Sequence, residues 1–207
     1  MKNYWYASES ENASTKGTDT DEDSHSDDKN RIESFNNDIY FYAGVSRTNN
    51  LTLNKKIDSL STKYINFANS LSLEEVAPIR LHINSYGGSV FAGLSTVDYV
   101  LSSAAPVHTI IEGCAASAAT LFSVVGDHRM MHKHAFMLIH QISSGMWGKF
   151  EELKDDMDNN ELIMKKIKDL YQEYTKIPKN KLSEILKHDL WWDADMCLKY
   201  GLIDEII

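Results

Sequence analysis

Cysteine and proline are scarce in this chain of 207 residues, which has two cysteines and three prolines. Two cysteines cannot form the disulfide framework of a small secreted domain, and their scarcity favours a reducing compartment. No apolar run reaches the roughly 20 residues needed to cross a bilayer, and the N-terminal segment lacks the basic and apolar regions of a signal peptide. We therefore expect a cytoplasmic protein without a membrane partner.

Positive charge is also in short supply. Lysine and arginine together number 21 against 30 acidic residues, which gives a formal net charge of -9 and a pI of about 5.3. A surface of this sign repels phosphate backbones, so nucleic acid is not an expected partner. Hydrophobic residues make up 43% of the chain, an ordinary share for a globular protein, and the length suffices for one sizeable core.

The first 34 residues have too few apolar side chains to form a core of their own. Ser, Thr, Asn, Asp and Glu dominate there, and residues 19–28 form a dense acidic run. This composition predicts an acidic, disordered leader over 1–34, with an acidic interaction tail as the alternative. The folded domain is predicted over 35–207, with its first strand near residues 39–43.

The rest of the chain alternates between short apolar runs and amphipathic segments. Strands are predicted near residues 79–83 and 107–111, with helices between and after them. This alternation predicts an α/β fold with mostly parallel strands. A longer helix over about 149–176 has apolar residues at steps of three and four, interrupted by Asn160. This seam packs either on another chain or within the same one.

Ser117 is the first candidate for chemistry. It lies in the segment Gly-Cys-Ala-Ala-Ser-Ala-Ala over 113–119, between a predicted strand and a buried helix from Ala118. Small neighbours leave its hydroxyl accessible, and a helix start directs backbone N–H groups to the same point. A serine here becomes a nucleophile if a base takes its proton. The alternative is a helix start that only packs small residues against a sheet.

Two further residues and one glycine pair are candidates for the same chemistry. His140 follows the apolar run over 136–139, and a histidine at a strand end can act as general base and acid near neutral pH. Asp189 precedes the apolar flank Leu-Trp-Trp, where a carboxylate needs a partner such as an imidazole N–H. Gly87 and Gly88 allow a sharp turn with an exposed N–H. Each also has a structural reading, as a surface histidine, a cap or a tight turn.

Taken together, these segments resemble the proteolytic subunit of the Clp protease, the ClpP family of serine peptidases, from about residue 39 to 207. The matching motifs are Ile-Asn-Ser-Tyr-Gly-Gly-Ser-Val over 83–90, Ala-Gly-Leu over 92–94, Gly-Cys-Ala-Ala-Ser over 113–117, Met-Leu-Ile-His-Gln over 137–141 and Tyr-Gly-Leu-Ile-Asp over 200–204. The resemblance implies the ClpP/crotonase-like spiral of β-β-α units, from which the helix over 149–176 protrudes as a handle.

The resemblance also implies a role for each candidate. Ser117 is expected to be the nucleophile, His140 the base and Asp189 the carboxylate that orients the histidine. The oxyanion hole is expected at the N–H groups of Gly88 and Ala118. A peptide substrate is expected to bind as an added strand. The segments expected to hold it contain Ser89, Val90, Phe91, Gln141, Ile142 and Ser143.

The expected activity is that of a self-compartmentalising endopeptidase for unfolded polypeptides or short peptides. The family assembles as heptameric rings, single or stacked in pairs, and a hexameric unfoldase is a candidate partner. No cofactor is expected in this chain, so ATP would act only through such a partner. His128, His132 and His134 lie close together, but no cysteine or carboxylate completes a metal-ligand spacing, and no metal site is expected.

Four features depart from the family pattern. Tyr86 replaces the usual proline before the glycine pair, the acidic leader replaces an apolar strand with axial loops, and Lys187-His188 replaces the acidic-arginine pair that couples the rings. The last change suggests pH control of ring stacking. Polar residues also enter the positions at which the family docks its ATPase, which are Arg80, His82, Ile110, Glu112, Met130, His132 and Ile207. These departures indicate a divergent member, such as one from a virus or mobile element, with its own adaptor or no ATPase.

Two other functions compete with peptide hydrolysis. A crotonase-like acyl-CoA enzyme shares the spiral fold and the paired backbone amides, but it does not need a Ser-His-Asp set. A non-catalytic ring or scaffold subunit would keep the fold without a reactive serine. Fold alone does not separate these functions. Binding of acyl-CoA and reaction of Ser117 with an active-serine probe would separate them.

Overall fold

The computed structural model describes residues 31–207, which form a mixed sheet with helices on its faces. The elements follow along the chain as β1 (Arg31–Phe35), β2 (Asp38–Tyr42), α1 (Arg47–Ser70), β3 (Ile79–Ser85), α2 (Val90–Ser102), β4 (Val107–Ala116), α3 (Ala118–Ser123), β5 (His128–Met131), β6 (Phe136–Leu138), α4 (Phe150–Tyr174), α5 (Lys179–Ile185), β7 (Trp191–Trp192), α6 (Ala194–Lys199) and β8 (Glu205–Ile206).

The first strand corrects the expected boundary of the leader. Residues 31–34 belong to β1, which pairs antiparallel with β2, so regular structure begins before residue 39, where the first strand was expected. β1 is mostly exposed, whereas β2 is mostly buried. An exposed strand needs few apolar residues, so the sequence of β1 lacks the apolar pattern from which a strand is predicted. The rest of the predicted leader, residues 1–30, lies outside the described residues.

Parallel pairing dominates the sheet, as the alternation of strands and helices predicts. The strand order is β1-β2-β3-β4-β5-β8, with β6 and β7 attached through β4. All ladders are parallel except β1 with β2 and β6 with β7. In β3, Ile79, Leu81 and Ile83 are fully buried and alternate with more exposed residues. This period of two places their side chains in the core between sheet and helices.

Strand β4 divides its length between two parallel neighbours. Residues 108–111 pair with β5, whereas residues 114–116 pair with β6. The change of partner falls at Gly113, which has φ +70°, a conformation that glycine adopts without steric cost. The second half of β4 therefore leaves the main sheet and carries Ser117 towards β6.

The long helix α4 confirms the predicted handle, with ends one and two residues inside the expected 149–176. Its two halves have different surroundings. Ile167, Leu170 and Tyr171 near the C-terminal end are buried in the core, whereas Phe150 is 77% exposed and Leu162 is 67% exposed. One part of the predicted seam thus packs within this chain, and the other part is open. None of the helices within residues 31–207 combines the length and the apolar character needed to cross a membrane.

Candidate active site

Ser117 and His140 lie at the carboxyl ends of two neighbouring parallel strands. Residues 114–116 of β4 pair in register with residues 136–138 of β6, so the next positions along both strands also meet. The N–H of Ser117 donates to the carbonyl of Leu138 at 2.8 Å. This hydrogen bond ties the serine to the strand that leads into His140.

The backbone turns sharply at Ser117. β4 ends at Ala116 and α3 begins at Ala118, and Ser117 itself has φ 54° and ψ -127°. A positive φ is unusual for a residue with a side chain and costs on the order of 1–3 kcal/mol. A strained serine between a strand and a helix is the geometry of a nucleophile elbow, which holds the hydroxyl out of the sheet. The junction predicted from the sequence is therefore present.

Gly87 and Gly88 bring a second backbone segment against the elbow. An ideal Cβ on Gly87 would lie 3.1 Å from the amide nitrogen of Ala118, and one on Gly88 would lie 2.3 Å from the carbonyl oxygen of Val45. Val45 and Gly88 form an isolated parallel bridge through hydrogen bonds from Val45 to the carbonyl of Gly87 and from Ser89 to the carbonyl of Val45. The N–H of Gly88 itself is not used in this bridge. The N–H of Ala118 has no acceptor within its helix, since it opens α3.

Asp189 reaches His140 through the register of an antiparallel ladder. Met137 pairs with Trp192 and Leu138 pairs with Trp191, and continuing this register by two residues sets His140 opposite Asp189. The Nδ1 of His140 lies 2.7 Å from the Oδ1 of Asp189. The side chain of His140 is largely buried, at 14% exposure, while that of Asp189 is 63% exposed. This pairing leaves Nε2 as the ring nitrogen that is free to exchange a proton.

The serine and the histidine share one cleft but are not hydrogen-bonded to each other. Within residues 31–207, the hydroxyl of Ser117 takes part in no hydrogen bond. The cleft has a volume of about 1100 Å³. Every residue that the sequence assigned to the site lines this cleft, and the complete set is Ser117, His140, Asp189, Gly88, Ala118, Ser89, Val90, Phe91, Gln141, Ile142 and Ser143.

The sequence reasoning missed the residues from α3 and α4 that complete the cleft. Leu121, Ile163 and Ile167 add an apolar wall. Asn160 also lines the cleft, and it donates to the hydroxyl of Ser144 at 3.3 Å. For Asn160 and Ile167 the signal was the predicted seam of α4, which indicated a packing surface but gave no reason to place its centre beside Ser117. Leu121 and Ile163 had no such signal.

A second polar cluster lies on β2, β3 and β4. The guanidinium of Arg80 donates to Asp38 at 2.7 Å, and the two ring nitrogens of His82 lie 3.1 Å from Asp38 and 2.7 Å from Glu112. Burial raises the pKa of Asp38, but hydrogen bonds from Arg80 and His82 outweigh it, so that the pKa lies below its ordinary value. Burial likewise raises the pKa of Glu112, and hydrogen bonds from Tyr42 and His82 lower it to a net decrease.

Two of the histidines that lie close together in the sequence are paired with different carboxylates. The Nε2 of His128 lies 3.0 Å from Glu205, whereas the Nε2 of His132 lies 3.4 Å from Glu112. Over residues 31–207, no group of three or more His, Cys, Asp or Glu side chains is arranged to hold a metal ion.

A parallel sheet with a serine elbow and a His-carboxylate pair at the same strand ends has the arrangement of an α/β serine hydrolase. The family model for Clp protease matches residues 35–207. The chain therefore belongs to the Clp protease family, a family of serine peptidases, and the resemblance seen in the motifs is confirmed.

Two curated relatives show how far the similarity extends. The ATP-dependent Clp protease proteolytic subunit of Deinococcus radiodurans is 34% identical over 131 residues, which cover 62% of this chain and 64% of that protein. This chain thus spans slightly less than two thirds of that relative. Proteolytic subunit 1 of Chlamydia caviae is 34% identical over 136 residues, or 63% of this chain and 70% of that protein.

A solved structure supports the fold independently. A mutant of ClpP1 from Listeria monocytogenes superimposes with a TM-score of 0.70 over 83% of this chain and 91% of that chain. Because the sequence identity is only 21%, this likeness concerns the fold alone. It confirms the ClpP-type α/β fold predicted from the sequence.

Proposed function

We propose that this protein is a serine endopeptidase that hydrolyses unfolded polypeptides or short peptides through Ser117, His140 and Asp189. The observation that carries the proposal is the His140–Asp189 hydrogen bond of 2.7 Å in the same cleft as the strained Ser117 elbow. A crotonase-like enzyme or a scaffold subunit has no need of this pair.

The proposed reaction proceeds by acyl transfer. Nε2 of His140 takes the proton of Ser117 as its oxygen attacks the peptide carbonyl, and Asp189 stabilises the imidazolium through Nδ1–H. The oxyanion accepts hydrogen bonds from the N–H groups of Gly88 and Ala118. His140 then protonates the leaving amine as the C–N bond breaks. In the second half, His140 deprotonates a water molecule that attacks the acyl-enzyme, and the released Ser117 recovers its proton.

The state in which Ser117 and His140 are not hydrogen-bonded is proposed to be a resting state. Catalytic hydrogen bonds are often long in a free enzyme and shorten when substrate binds. In this chain the residues after His140 run from Gln141 to Lys149 without forming a helix or strand. A shift of these residues on binding of substrate or of a neighbouring subunit would complete the hydrogen bond from Ser117 to His140.

The substrate is proposed to lie extended between the segments 89–91 and 141–143. Backbone hydrogen bonds would hold it as an added strand, a mode that tolerates many sequences. The apolar wall formed by Leu121, Ile163 and Ile167 favours an apolar side chain next to the cleaved bond.

Assembly into heptameric rings, one or two stacked, is proposed from the family together with the exposed half of α4. Phe150, Met157 and Leu162 are large apolar residues on one half of this helix, with exposures of 49–77%. Burial of such residues between stacked rings would remove apolar surface from water and close a chamber.

An ATP-dependent unfoldase is proposed as a partner of the assembled rings, since the relatives are named proteolytic subunits of an ATP-dependent protease. ATP would be hydrolysed by the partner and not by this chain. The family's docking positions include Arg80, His82 and Glu112, and here these three side chains belong to the charged cluster with Asp38. An unfoldase for this protein would therefore need polar complements to the cluster.

Labelling with a fluorophosphonate serine probe tests the proposed function. The native protein should be labelled at Ser117, as located by mass spectrometry, and Ser117→Ala should not be labelled. Hydrolysis of fluorogenic peptides should be lost in the same variant. If native rings are neither labelled at Ser117 nor able to hydrolyse the peptides, a scaffold subunit is favoured. Binding of acyl-CoA in the cleft would favour the crotonase-like function.

A further inference from the structure

The hydroxyl of Tyr171 is buried beneath the nucleophile elbow. Tyr171 lies on α4 and is only 2% exposed. Its hydroxyl oxygen is 2.6 Å from the Oγ1 of Thr120, a residue of α3. The Oγ1 of Thr120 is in turn 2.6 Å from the carbonyl oxygen of Ser117. A continuous chain of two short hydrogen bonds therefore connects the handle helix to the peptide of Ser117.

The direction of these hydrogen bonds follows from the chemistry of the groups. A carbonyl oxygen can only accept, so the single hydroxyl proton of Thr120 is donated to Ser117. Tyr171 must then donate its own proton to Thr120. Burial raises the pKa of Tyr171 above its ordinary value, so the phenol remains protonated and able to donate. Hydrogen bonds in such a chain polarise one another and strengthen the final contact.

The peptide groups of Ser117 are held from both sides. Its N–H donates to Leu138 at 2.8 Å, and its carbonyl accepts the N–H of Thr120 at 3.0 Å in addition to the Thr120 hydroxyl. A residue with φ 54° persists only when its surroundings hold it in place. The carbonyl side of this restraint depends on Thr120, and the orientation of Thr120 depends on Tyr171.

We propose that Tyr171 is a positioning residue for the nucleophile. Acting through Thr120, its hydroxyl fixes the backbone of Ser117, so that the reactivity of Ser117 depends on how α4 packs against α3. This inference rests on the proposed function, in which Ser117 attacks the substrate. Tyr171 does not touch the reacting atoms. It couples the elbow to a helix whose other half is exposed and is proposed to meet a second ring.

Three variants of the assembled protein test the inference. Tyr171→Phe removes only the phenol oxygen, Thr120→Val removes only the linking hydroxyl, and the third variant combines both changes. Each variant is assayed for the rate of fluorophosphonate labelling at Ser117 and for stability in urea. Either single change should slow labelling by roughly tenfold. Thr120→Val should also lower stability, because it leaves the buried phenol without an acceptor.

The double variant distinguishes positioning from packing. Removing both polar partners of a buried hydrogen bond can be nearly neutral for stability, so its unfolding midpoint should return towards the native value. The labelling rate should nevertheless stay low, because the carbonyl of Ser117 still lacks the hydroxyl. Recovery of labelling together with stability would overturn the inference in favour of a packing role. Thr120→Ser keeps the hydroxyl and should label at close to the native rate.

Tyr174→Phe is the matched control, because it removes a tyrosine hydroxyl from the next turn of α4 without breaking the contacts among Tyr171, Thr120 and Ser117. It should label at the native rate. If the native protein is labelled at Ser117 and Tyr171→Phe is labelled equally fast, this inference alone is overturned. A native protein that is not labelled at Ser117 would overturn the proposed function and this inference with it.

Discussion

Gly87 packs directly against Ser117: a methyl group on Gly87 would lie 2.7 Å from the Cβ of Ser117 and 2.5 Å from the carbonyl oxygen of Ala116. Gly87 also has φ +91°, which L-residues with a side chain rarely adopt. The position is therefore closed to side chains both by space and by backbone conformation, and the elbow depends on it.

We expect Gly87→Ala to abolish labelling of Ser117 and to lower the free energy of unfolding by roughly 2–5 kcal/mol, the combined effect of backbone strain and overpacking. Urea denaturation and probe labelling measure the two effects. Gly145→Ala is the control, because a Cβ there would meet nothing within 4 Å. Normal labelling of Gly87→Ala would show that the elbow does not need this contact.

Asp189→Asn should reduce kcat/KM for peptide hydrolysis by roughly 10²–10³-fold. Loss of a triad carboxylate lowers turnover by about 10⁴-fold where the carboxylate is buried, but Asp189 is 63% exposed and water can partly replace it. Asp193→Asn serves as the control, since Asp193 caps α6 by accepting from Met196 at 2.9 Å and asparagine caps equally well. Equal activity of the two variants would contradict the role of Asp189.

The charged cluster around His82 predicts how stability changes with pH. The pKa values of Asp38 and Glu112 lie below their ordinary values of 3.8 and 4.5. Their contribution to stability is therefore fully present above about pH 4.5 and is lost as the pH falls through the lower pKa values of the folded state. Urea denaturation at pH 7 and at pH 3 should show a smaller pH effect for Asp38→Asn than for the native protein.

Asp169→Asn provides the comparison for that measurement. The hydrogen bond from Lys165 also lowers the pKa of Asp169, but this pair lies on the exposed face of α4. Exposed ion pairs contribute little to stability, so the stability of Asp169→Asn should depend on pH in the same way as that of the native protein. A similar change in both variants would mean that the buried cluster has no special effect on acid stability.

Arg129 joins four separate parts of the chain, so its loss should be costly. Its guanidinium donates to Asp204 at 2.9 Å, to the carbonyl of Gly201 at 2.9 Å and to that of Val124 at 3.3 Å, and it also contacts the carbonyl of Tyr174. We expect Arg129→Ala to lower the free energy of unfolding by roughly 1–3 kcal/mol, because three carbonyls lose a donor and Asp204 keeps only the backbone N–H of residue 129.

Arg31→Ala is the control for this arginine. Arg31 pairs with Glu33 on the surface, where both side chains are more than half exposed, and its removal should change stability by no more than about 1 kcal/mol. Chemical denaturation of both variants makes the comparison. Equal losses would mean that the hydrogen bonds of Arg129 are replaced by water at little cost.

Met157→Glu should weaken the proposed stacking of rings, because it places a charge on the exposed apolar half of α4. Sedimentation velocity should show smaller assemblies than the native protein forms, with unchanged far-UV circular dichroism. Lys154→Glu is the control, because it changes the charge of the same helix one turn away without replacing an apolar residue. If only that control altered assembly, the proposed apolar contact would be wrong.

The sequence placed Ser117 and His140 near each other because both follow apolar strands, and the structure brings them to one cleft at the ends of the paired strands β4 and β6. Asp189 was harder to place by physical reasoning. Its position depends on the register between β6 and β7, and a two-residue strand has no sequence pattern of its own. The resemblance to a family supplied what local periodicity did not.

The contact between Tyr171 and Thr120 had no visible signal. The two residues are 51 positions apart, and each satisfies an ordinary helical pattern in which Tyr171 belongs to a packing seam. The polar positions Arg80, His82 and Glu112 were noticed as departures from the family. Their mutual pairing with Asp38 depends on the lateral order of β2, β3 and β4, which no single strand reveals.

The ladder that joins β6 to β7 also has a consequence for biosynthesis. His140 emerges from the ribosome 49 residues before the carboxylate that is proposed to orient it, so a growing polypeptide holds Ser117 and His140 without the third member of the proposed triad. Under the proposed mechanism, full hydrolytic activity would therefore arise only after the strand carrying the tryptophan pair has docked. The proposed protease would then remain weakly active for as long as its last residues are still being translated.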